Sequence, residues 1–279
     1  MKRKKERVDV LLVERGLAET REKAKRAIMA GLVYTNGTRI EKPGEKIDID
    51  LPLAVKGNPL PYVSRGGLKL EKALNEFELD IKNKILLDVG ASTGGFTDCA
   101  LQHGAKMSYA VDVGYNQLAW KLRQDDRVIV MERTNFRYVK PDDLKHGIPD
   151  FSTIDVSFIS LKLILPVLRT LLKEGSDVVA LIKPQFEAGK EQVGKKGIVR
   201  DPKVHLEVIL EIIQFSLNEG FDVKNLTFSP ITGGDGNIEF LIHLQWNGEK
   251  ESGENLLRLD PAHIVQQARN ELKNNTSEA

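Results

Sequence analysis

The sequence predicts an α/β protein: a doubly wound, mostly parallel sheet of seven strands, preceded by a small basic α/β module. Three observations predict it. From residue 84 onward, short apolar runs alternate with helical patterns, the signature of a parallel sheet with crossover helices. The first of these runs ends in a glycine-rich turn that leads straight into a helix. Charge is also uneven: residues 1–60 hold 14 Lys and Arg against 9 Asp and Glu, and the remainder holds 27 against 31. Within a chain of 279 residues and formal charge +1, that asymmetry fits a phosphate-facing module joined to a near-neutral body. The expected organisation is a basic domain over 1–60, a linker over 61–67, a main domain over 68–246 and a polar tail over 247–279.

In the first domain, Val8-Asp9-Val10-Leu11-Leu12 opens a short helix. Thr20 caps a second helix, with Ala24, Ala27 and Ile28 at helical spacing and Gly31 as its stop. Leu32–Thr35 and Thr38–Ile40 read as strands around Asn36-Gly37, a strong hairpin signal. Arg21, Lys23, Lys25 and Arg26 crowd one helix, and Arg39 stands on the adjoining hairpin. Gly57-Asn58-Pro59-Leu60-Pro61 reads as a semi-rigid linker that continues through Tyr62–Gly67, and a helix follows over Leu68–Phe77.

The main domain offers strands at Lys84–Val89, Met107–Val111, Arg127–Met131, Phe151–Val156, Val178–Lys183, Val223–Ser229 and Glu239–Trp246. Helices are expected at Leu161–Lys173 and Lys203–Glu219. Only a glycine-rich turn separates the last two strands, so they form a hairpin and one of them runs antiparallel. The tail either holds a helix from Pro261 to Lys273 or stays loose.

Composition excludes several classes. With 41% hydrophobic and 29% charged residues the chain reads as a soluble globular protein. The single cysteine, Cys99, rules out an intramolecular disulfide and suits a reducing cytoplasm. The five histidines fall into no metal-ligand spacing, so no metal is expected. No apolar run reaches the ~20 residues needed to span a bilayer, and the basic start lacks a signal-peptide core.

The chemistry concentrates at strand ends. Asp88-Val89-Gly90-Ala91-Ser92-Thr93-Gly94-Gly95-Phe96 is a strand-to-helix turn whose glycines let a ligand approach the backbone. It lacks the G-x-G-x-x-G spacing of dinucleotide sites and any Walker Lys-Ser/Thr pair. Asp112 closes the next strand 22 positions after Gly90, where an acid accepts hydrogen bonds from ribose hydroxyls. Val113 and Asn135 complete the expected nucleoside site, with Asp155 at its edge. Lys69, Asp155, Lys183 and Glu239 form a second set. Three of them sit at strand ends that converge on one crevice, and a lysine closing the apolar run Val178–Ile182 needs carboxylate partners, for which Asp155 and Glu239 are the candidates.

Arg7-Val8-Asp9, Gly16-Leu17, Thr20-Arg21, Gly31-Leu32-Val33, Asn36-Gly37 and Lys42-Pro43-Gly44 resemble the small RNA-binding domain of a ribosomal small-subunit protein, an S-four-like domain. The resemblance implies RNA contacts by Arg7, Arg21, Lys23, Lys25, Arg26 and Arg39, with Arg65 beside them. The Asp88–Phe96 turn with Lys69, Asp155, Lys183 and Glu239 looks like the FtsJ-type ribose 2′-O-methyltransferases, which carry a Lys-Asp-Lys-Glu tetrad. Tyr62–Gly67, Asp155–Ser160, Lys183–Glu187 and Gly233-Gly234-Asp235-Gly236-Asn237 resemble the TlyA family over residues 5–246. That resemblance implies an S-adenosylmethionine cofactor, a cytidine ribose in ribosomal RNA as substrate, presented in a subunit or ribosome, and a cytoplasmic enzyme. Lys183 is then expected at the reacting oxygen, as neutral base or charged stabiliser, oriented by Asp155 and Glu239, with Lys69 steadying the ribose or phosphate.

Three other readings compete. The family's older haemolysin name suggests a lytic protein, against which the absence of a membrane-spanning run weighs. A non-catalytic RNA-binding protein would not need the tetrad. A pseudouridine synthase, another class with S-four-like modules, would not need the cofactor turn.

Overall fold

The computed structural model describes residues 4–29, 31–56, 60–194, 196–233 and 236–274. Gly57, Asn58 and Pro59 of the expected linker, and Gly234 and Asp235 of the glycine-rich motif, lie outside the described residues. The chain forms two compact units, Met1–Pro61 and Tyr62–Ala279.

The first unit runs β1 (Lys5–Arg7), α1 (Val8–Glu14), α2 (Arg21–Met29), β2 (Val33–Thr35), β3 (Thr38–Arg39), β4 (Lys46–Asp48) and β5 (Ala54–Val55). Thr20 caps α2 as expected, its Oγ1 accepting the Lys23 N–H at 3.2 Å. Asn36 and Gly37 both take positive φ, 46° and 81°, as a two-residue hairpin of the primed type requires. β2 pairs with β3 on one side and β5 on the other, and β1 pairs with β4, all antiparallel. Val8, Leu11, Leu12, Ala24, Ala27 and Ile28 bury one face of the two helices together with Val33 and Ile47. The strands β1, β4 and β5 were not anticipated, because two or three residues carry no readable alternation.

The second unit runs α3 (Gly66–Glu76), β6 (Ile85–Val89), α4 (Gly95–Gln102), β7 (Met107–Val111), α5 (Trp120–Arg123), β8 (Val128–Met131), β9 (Phe151–Ile154), α6 (Leu165–Leu168), β10 (Ser176–Ile182), α7 (Pro184–Glu187), α8 (Pro202–Asn218), β11 (Phe221–Phe228), β12 (Phe240–Trp246) and α9 (Pro261–Asn274). The sheet order is β11-β12-β10-β9-β6-β7-β8. β12 is antiparallel to both β10 and β11, and the other pairs are parallel, so the expected hairpin is present. The chain leaves β6 for β7 and β8 on one side, then returns to place β9 on the other. The carboxyl ends of β6 and β9 therefore flank the topological switch point, where open α/β sheets bind ligands. Successive residues alternate across the sheet: Leu87 and Val89 face the core over α8 and α9, whereas Leu86, Phe151, Val179 and Leu241 face α3 and α4.

Two expectations need correction, and one open alternative is resolved. The helix over Leu161–Lys173 is broken into a 3₁₀ turn, Leu161–Leu163, and the four-residue α6. Pro166 lacks an N–H and fits only the first turn of a helix, so one continuous helix cannot run through it. Tyr62, placed in the linker from sequence, is buried, and its hydroxyl donates to Glu71 Oε1 at 2.7 Å. Of the two alternatives for the polar tail, the helix is the one present: α9 matches the expected Pro261–Lys273, and its Ile264, Val265 and Ala268 are buried in the main core.

Candidate active site

The residues expected to carry chemistry sit one position beyond their strands. Asp155 follows β9, Lys183 follows β10, and Glu239 precedes β12, which runs the opposite way and so brings its start to the same edge. Lys69 arrives from the first turn of α3. The four side chains form a chain of ion pairs. Lys69 Nζ donates to Glu239 Oε2 at 2.7 Å and reaches Asp155 Oδ2 at 3.5 Å, and Lys183 Nζ stands 2.5 Å from Asp155 Oδ1. Lys183 also donates to Ser157 Oγ at 3.1 Å.

Both lysines and Glu239 are buried, and Asp155 keeps about a fifth of its side chain exposed. Burying charge is costly without partners, and here two cations meet two anions. Burial works against the Lys69 ammonium, but Asp155 and Glu239 outweigh it and raise its pKa. Burial likewise opposes ionisation of Asp155, but Lys69 and Lys183 hold its carboxyl below the usual carboxylate range. One expectation changes: Glu239 binds Lys69, and Lys183 is oriented by Asp155 and Ser157 instead.

Asp155 also lines a cavity of about 420 Å³ at the switch point, shared with Gly90, Ser92, Asp112, Val113 and Asn135. All five were expected at a nucleoside cofactor. Asp112 is fixed by two backbone donors, Ser92 N–H at 2.8 Å and Gly114 N–H at 2.6 Å, and it lines the cavity. Asn135 caps a short 3₁₀ turn by accepting the Arg137 N–H at 3.2 Å. A cavity of this volume is in the usual range for small-ligand sites. A rigid carboxylate at the end of the second parallel strand suits two ribose hydroxyls, so these residues fit a nucleoside-bearing donor.

The other predicted cofactor residues build the turn without lining the cavity. Asp88 is fully buried. It accepts the Thr97 N–H at 3.1 Å, the Thr97 hydroxyl at 2.7 Å and the Thr153 hydroxyl at 2.9 Å, and so ties α4 to β6 and β9. Burial pushes its carboxyl up to about 6, against those hydrogen bonds. Gly94 takes φ +93° beside Leu118 and Leu122. Gly95 abuts Ser64 and the backbone of Gly66 and Gly67, while Ala91 and Phe96 are core residues. Thr93 accepts the Ala119 N–H through its carbonyl at 3.1 Å.

In the first unit, Arg26 and Arg39 are exposed, and Lys23 and Lys25 pair with Glu19 and Glu22 on the surface. Arg7 and Arg21 converge on the buried Asp9. Arg65 is exposed at the start of α3 in the second unit.

Two residues of the site were missed as such. Ser157 contacts Lys183. Phe158 lines the cavity, is 90% exposed, has φ +65°, and meets the Phe186 ring at 5.0 Å between centroids. The available signal was an aromatic next to Ser157 just past a strand end, and beside Ile159 it reads as core.

The switch-point cavity, the glycine turn and the adjoining lysine–carboxylate chain define a group-transfer enzyme of the methyltransferase class. Residues 62–246 match the FtsJ-like methyltransferase family and residues 6–50 match the S4 domain. "Putative rRNA methyltransferase YqxC" of Bacillus subtilis is 71% identical over 273 residues, 98% of this chain and 97% of that protein. The "16S/23S rRNA (cytidine-2′-O)-methyltransferase TlyA" of Mycobacterium tuberculosis is 42% identical, over 86% of this chain and 89% of its own. A solved structure described as "Putative hemolysin from Streptococcus thermophilus" is 57% identical, with a TM-score of 0.78 and 99% of both chains covered. The chain belongs to the FtsJ-like methyltransferase family, in the group that carries an S4 domain and includes TlyA. No described helix is long and apolar enough to cross a membrane.

Proposed function

We propose that the chain transfers a methyl group from S-adenosylmethionine to a ribose 2′-hydroxyl of ribosomal RNA, a cytidine as in the TlyA relative. The observation that carries this reading is the position of Asp155. It touches Lys183 at 2.5 Å and lines the same cavity as Gly90 and Asp112. The cofactor, when bound, supplies an electrophilic methyl carbon on a sulfonium whose departure leaves a neutral thioether. Asp112 would hold its ribose, with Gly90, Ser92 and Asn135 beside it.

The chain's own task is to position a weak nucleophile and manage its proton. A ribose oxygen aligned in place of free solution gains up to ~7–11 kcal/mol of proximity. Lys183, as an ammonium fixed by Asp155 and Ser157, donates a hydrogen bond where negative charge develops on that oxygen. With the donor bound, the hydroxyl proton released as the oxygen accepts the methyl group would leave to solvent past the partly exposed Asp155. Lys69, held by Glu239, fixes the far side of Asp155, from where it would steady the substrate ribose or phosphate. Phe158 offers an open ring face at the cavity mouth, on which a base displaced from its stack can rest.

The basic first unit, through Arg7, Arg21, Arg26 and Arg39, would supply phosphate contacts that position folded RNA without choosing sequence. A ribosomal subunit or ribosome is the substrate this division of labour suits, and the cytoplasm is where such a substrate lies. The test is to incubate the purified chain and labelled S-adenosylmethionine with separated ribosomal particles. Label incorporated at one 2′-oxygen supports the reading, and no incorporation into either subunit or the intact ribosome overturns it.

A further inference from the structure

Asp9 is fully buried, in the first turn of α1, yet it faces two arginines that the surrounding surface leaves half open. Arg7 binds it with two parallel hydrogen bonds, Nε to Oδ1 at 2.9 Å and Nη2 to Oδ2 at 3.0 Å. Arg21 adds a third, Nη2 to Oδ2 at 2.9 Å. Arg7 keeps 39% of its side chain exposed and Arg21 keeps 54%. Each guanidinium has five N–H donors in a fixed fork; Arg7 spends its Nε/Nη2 edge and Arg21 one Nη2 donor on Asp9, which leaves donors to spare on two half-open side chains. The carboxylate neutralises only one of the two charges.

We propose that Asp9 is a positioning residue that holds Arg7 and Arg21 as a preformed two-guanidinium clamp for adjacent phosphates of a folded RNA. This rests on the reading of the first unit as the RNA-binding part. A free arginine loses rotamer freedom when it grips phosphate, and one already fixed by a buried partner has less to lose. Lys23 and Lys25 of α2 differ in this respect: among the described residues their ion-pair partners, Glu19 and Glu22, are exposed carboxylates. A purely structural Asp9, favourable at the start of α1, would explain burial but not the convergence of two outward-facing forks on it.

The two explanations predict opposite signs. Removing a carboxylate beside an RNA-binding surface adds net positive charge and, through electrostatics alone, tightens binding. Loss of positioning weakens it. The test uses the full chain and purified large ribosomal subunits. Asp9→Asn should bind roughly 5- to 10-fold more weakly, the ordering cost of two long side chains. It should raise KM for subunits while leaving kcat at saturation unchanged. Arg7→Lys keeps the charge but not the fork, on a half-exposed side chain, and should weaken binding in the same direction. Should Asp9→Asn fail to fold, Arg7→Lys decides alone. Equal or tighter binding by folded Asp9→Asn, or wild-type binding by Arg7→Lys, overturns the proposal. A double Arg7→Gln, Arg21→Gln variant separates the two levels. If it binds normally, the RNA reading of this surface falls and the clamp falls with it. If it binds weakly while Asp9→Asn does not, only the clamp falls.

Discussion

Gly90 packs directly against the backbone of Asp155: a Cβ at position 90 would lie 2.5 Å from the Asp155 carbonyl oxygen. The turn at the switch-point cavity and the carboxylate paired with Lys183 are thus one junction between β6 and β9. At φ +85°, position 90 also excludes an L side chain on conformational grounds.

Gly90→Ala should therefore damage both functions at once. The forced shift of the Asp155 backbone should weaken S-adenosylmethionine binding by about tenfold or more, ~1.4 kcal/mol, and methylation by a larger factor. Calorimetry on the purified variant and a turnover assay check this. Normal cofactor affinity with lost turnover would place Gly90 outside the cavity's framework.

Glu239→Gln should destabilise the second unit. It replaces the near anionic partner of the buried Lys69 with a neutral amide and leaves only the longer ion pair to Asp155, and breaking a buried ion pair costs about 3–5 kcal/mol. The thermal midpoint, followed by circular dichroism, should fall by several degrees and recover in part in Lys69→Met, Glu239→Gln, which removes the stranded charge.

Phe158→Ala should relieve a left-handed backbone only slightly and leave cofactor binding near normal, because its ring is open to solvent. Its loss should weaken the productive RNA complex by ~1–3 kcal/mol if a base stacks there. The readout is kcat/KM for ribosomal particles beside cofactor affinity, and an unchanged kcat/KM would remove Phe158 from the substrate site.

Acid should act on the first unit through Asp9. The hydrogen bond from Arg7 leads the forces that pull its carboxyl down to about 2, against burial, with Arg21 adding to them. A depressed folded-state pKa gives stability that is present above the unfolded value near ~4 and lost as pH falls toward 2. Comparing melting of the wild type and Asp9→Asn between pH 6 and pH 2 should show their difference shrinking only in the acid half of that range. A constant gap would contradict the assignment.

Much of this architecture was legible before the structure. The seven strands of the main sheet were readable as short β-prone runs set between turns and helical patterns, and Val178–Ile182, closed by Lys183, is the most apolar of them. Three members of the tetrad were legible because strand ends at one edge of such a sheet converge, whereas Lys69 comes from α3 and was added by the family resemblance. Pairing within the tetrad was not legible, since sequence spacing does not say which carboxylate a buried lysine will meet; Glu239 went to Lys69. Asp88 misled because a turn acid looks the same whether it faces a ligand or, as here, Thr97 and Thr153. The helix expected through Pro166 failed on a missing N–H. Phe158 was hidden because an exposed aromatic and a core aromatic carry the same letter.

The most direct measurement is nucleoside mass spectrometry of ribosomal RNA after incubation with the wild type and with Lys183→Ala. The account predicts a 2′-O-methylated nucleoside with the wild type. With Lys183→Ala it predicts a rate lower by about 10²–10³, while cofactor affinity stays within a few-fold. A methyl group found on a base, or near-normal ribose methylation by Lys183→Ala, would contradict it.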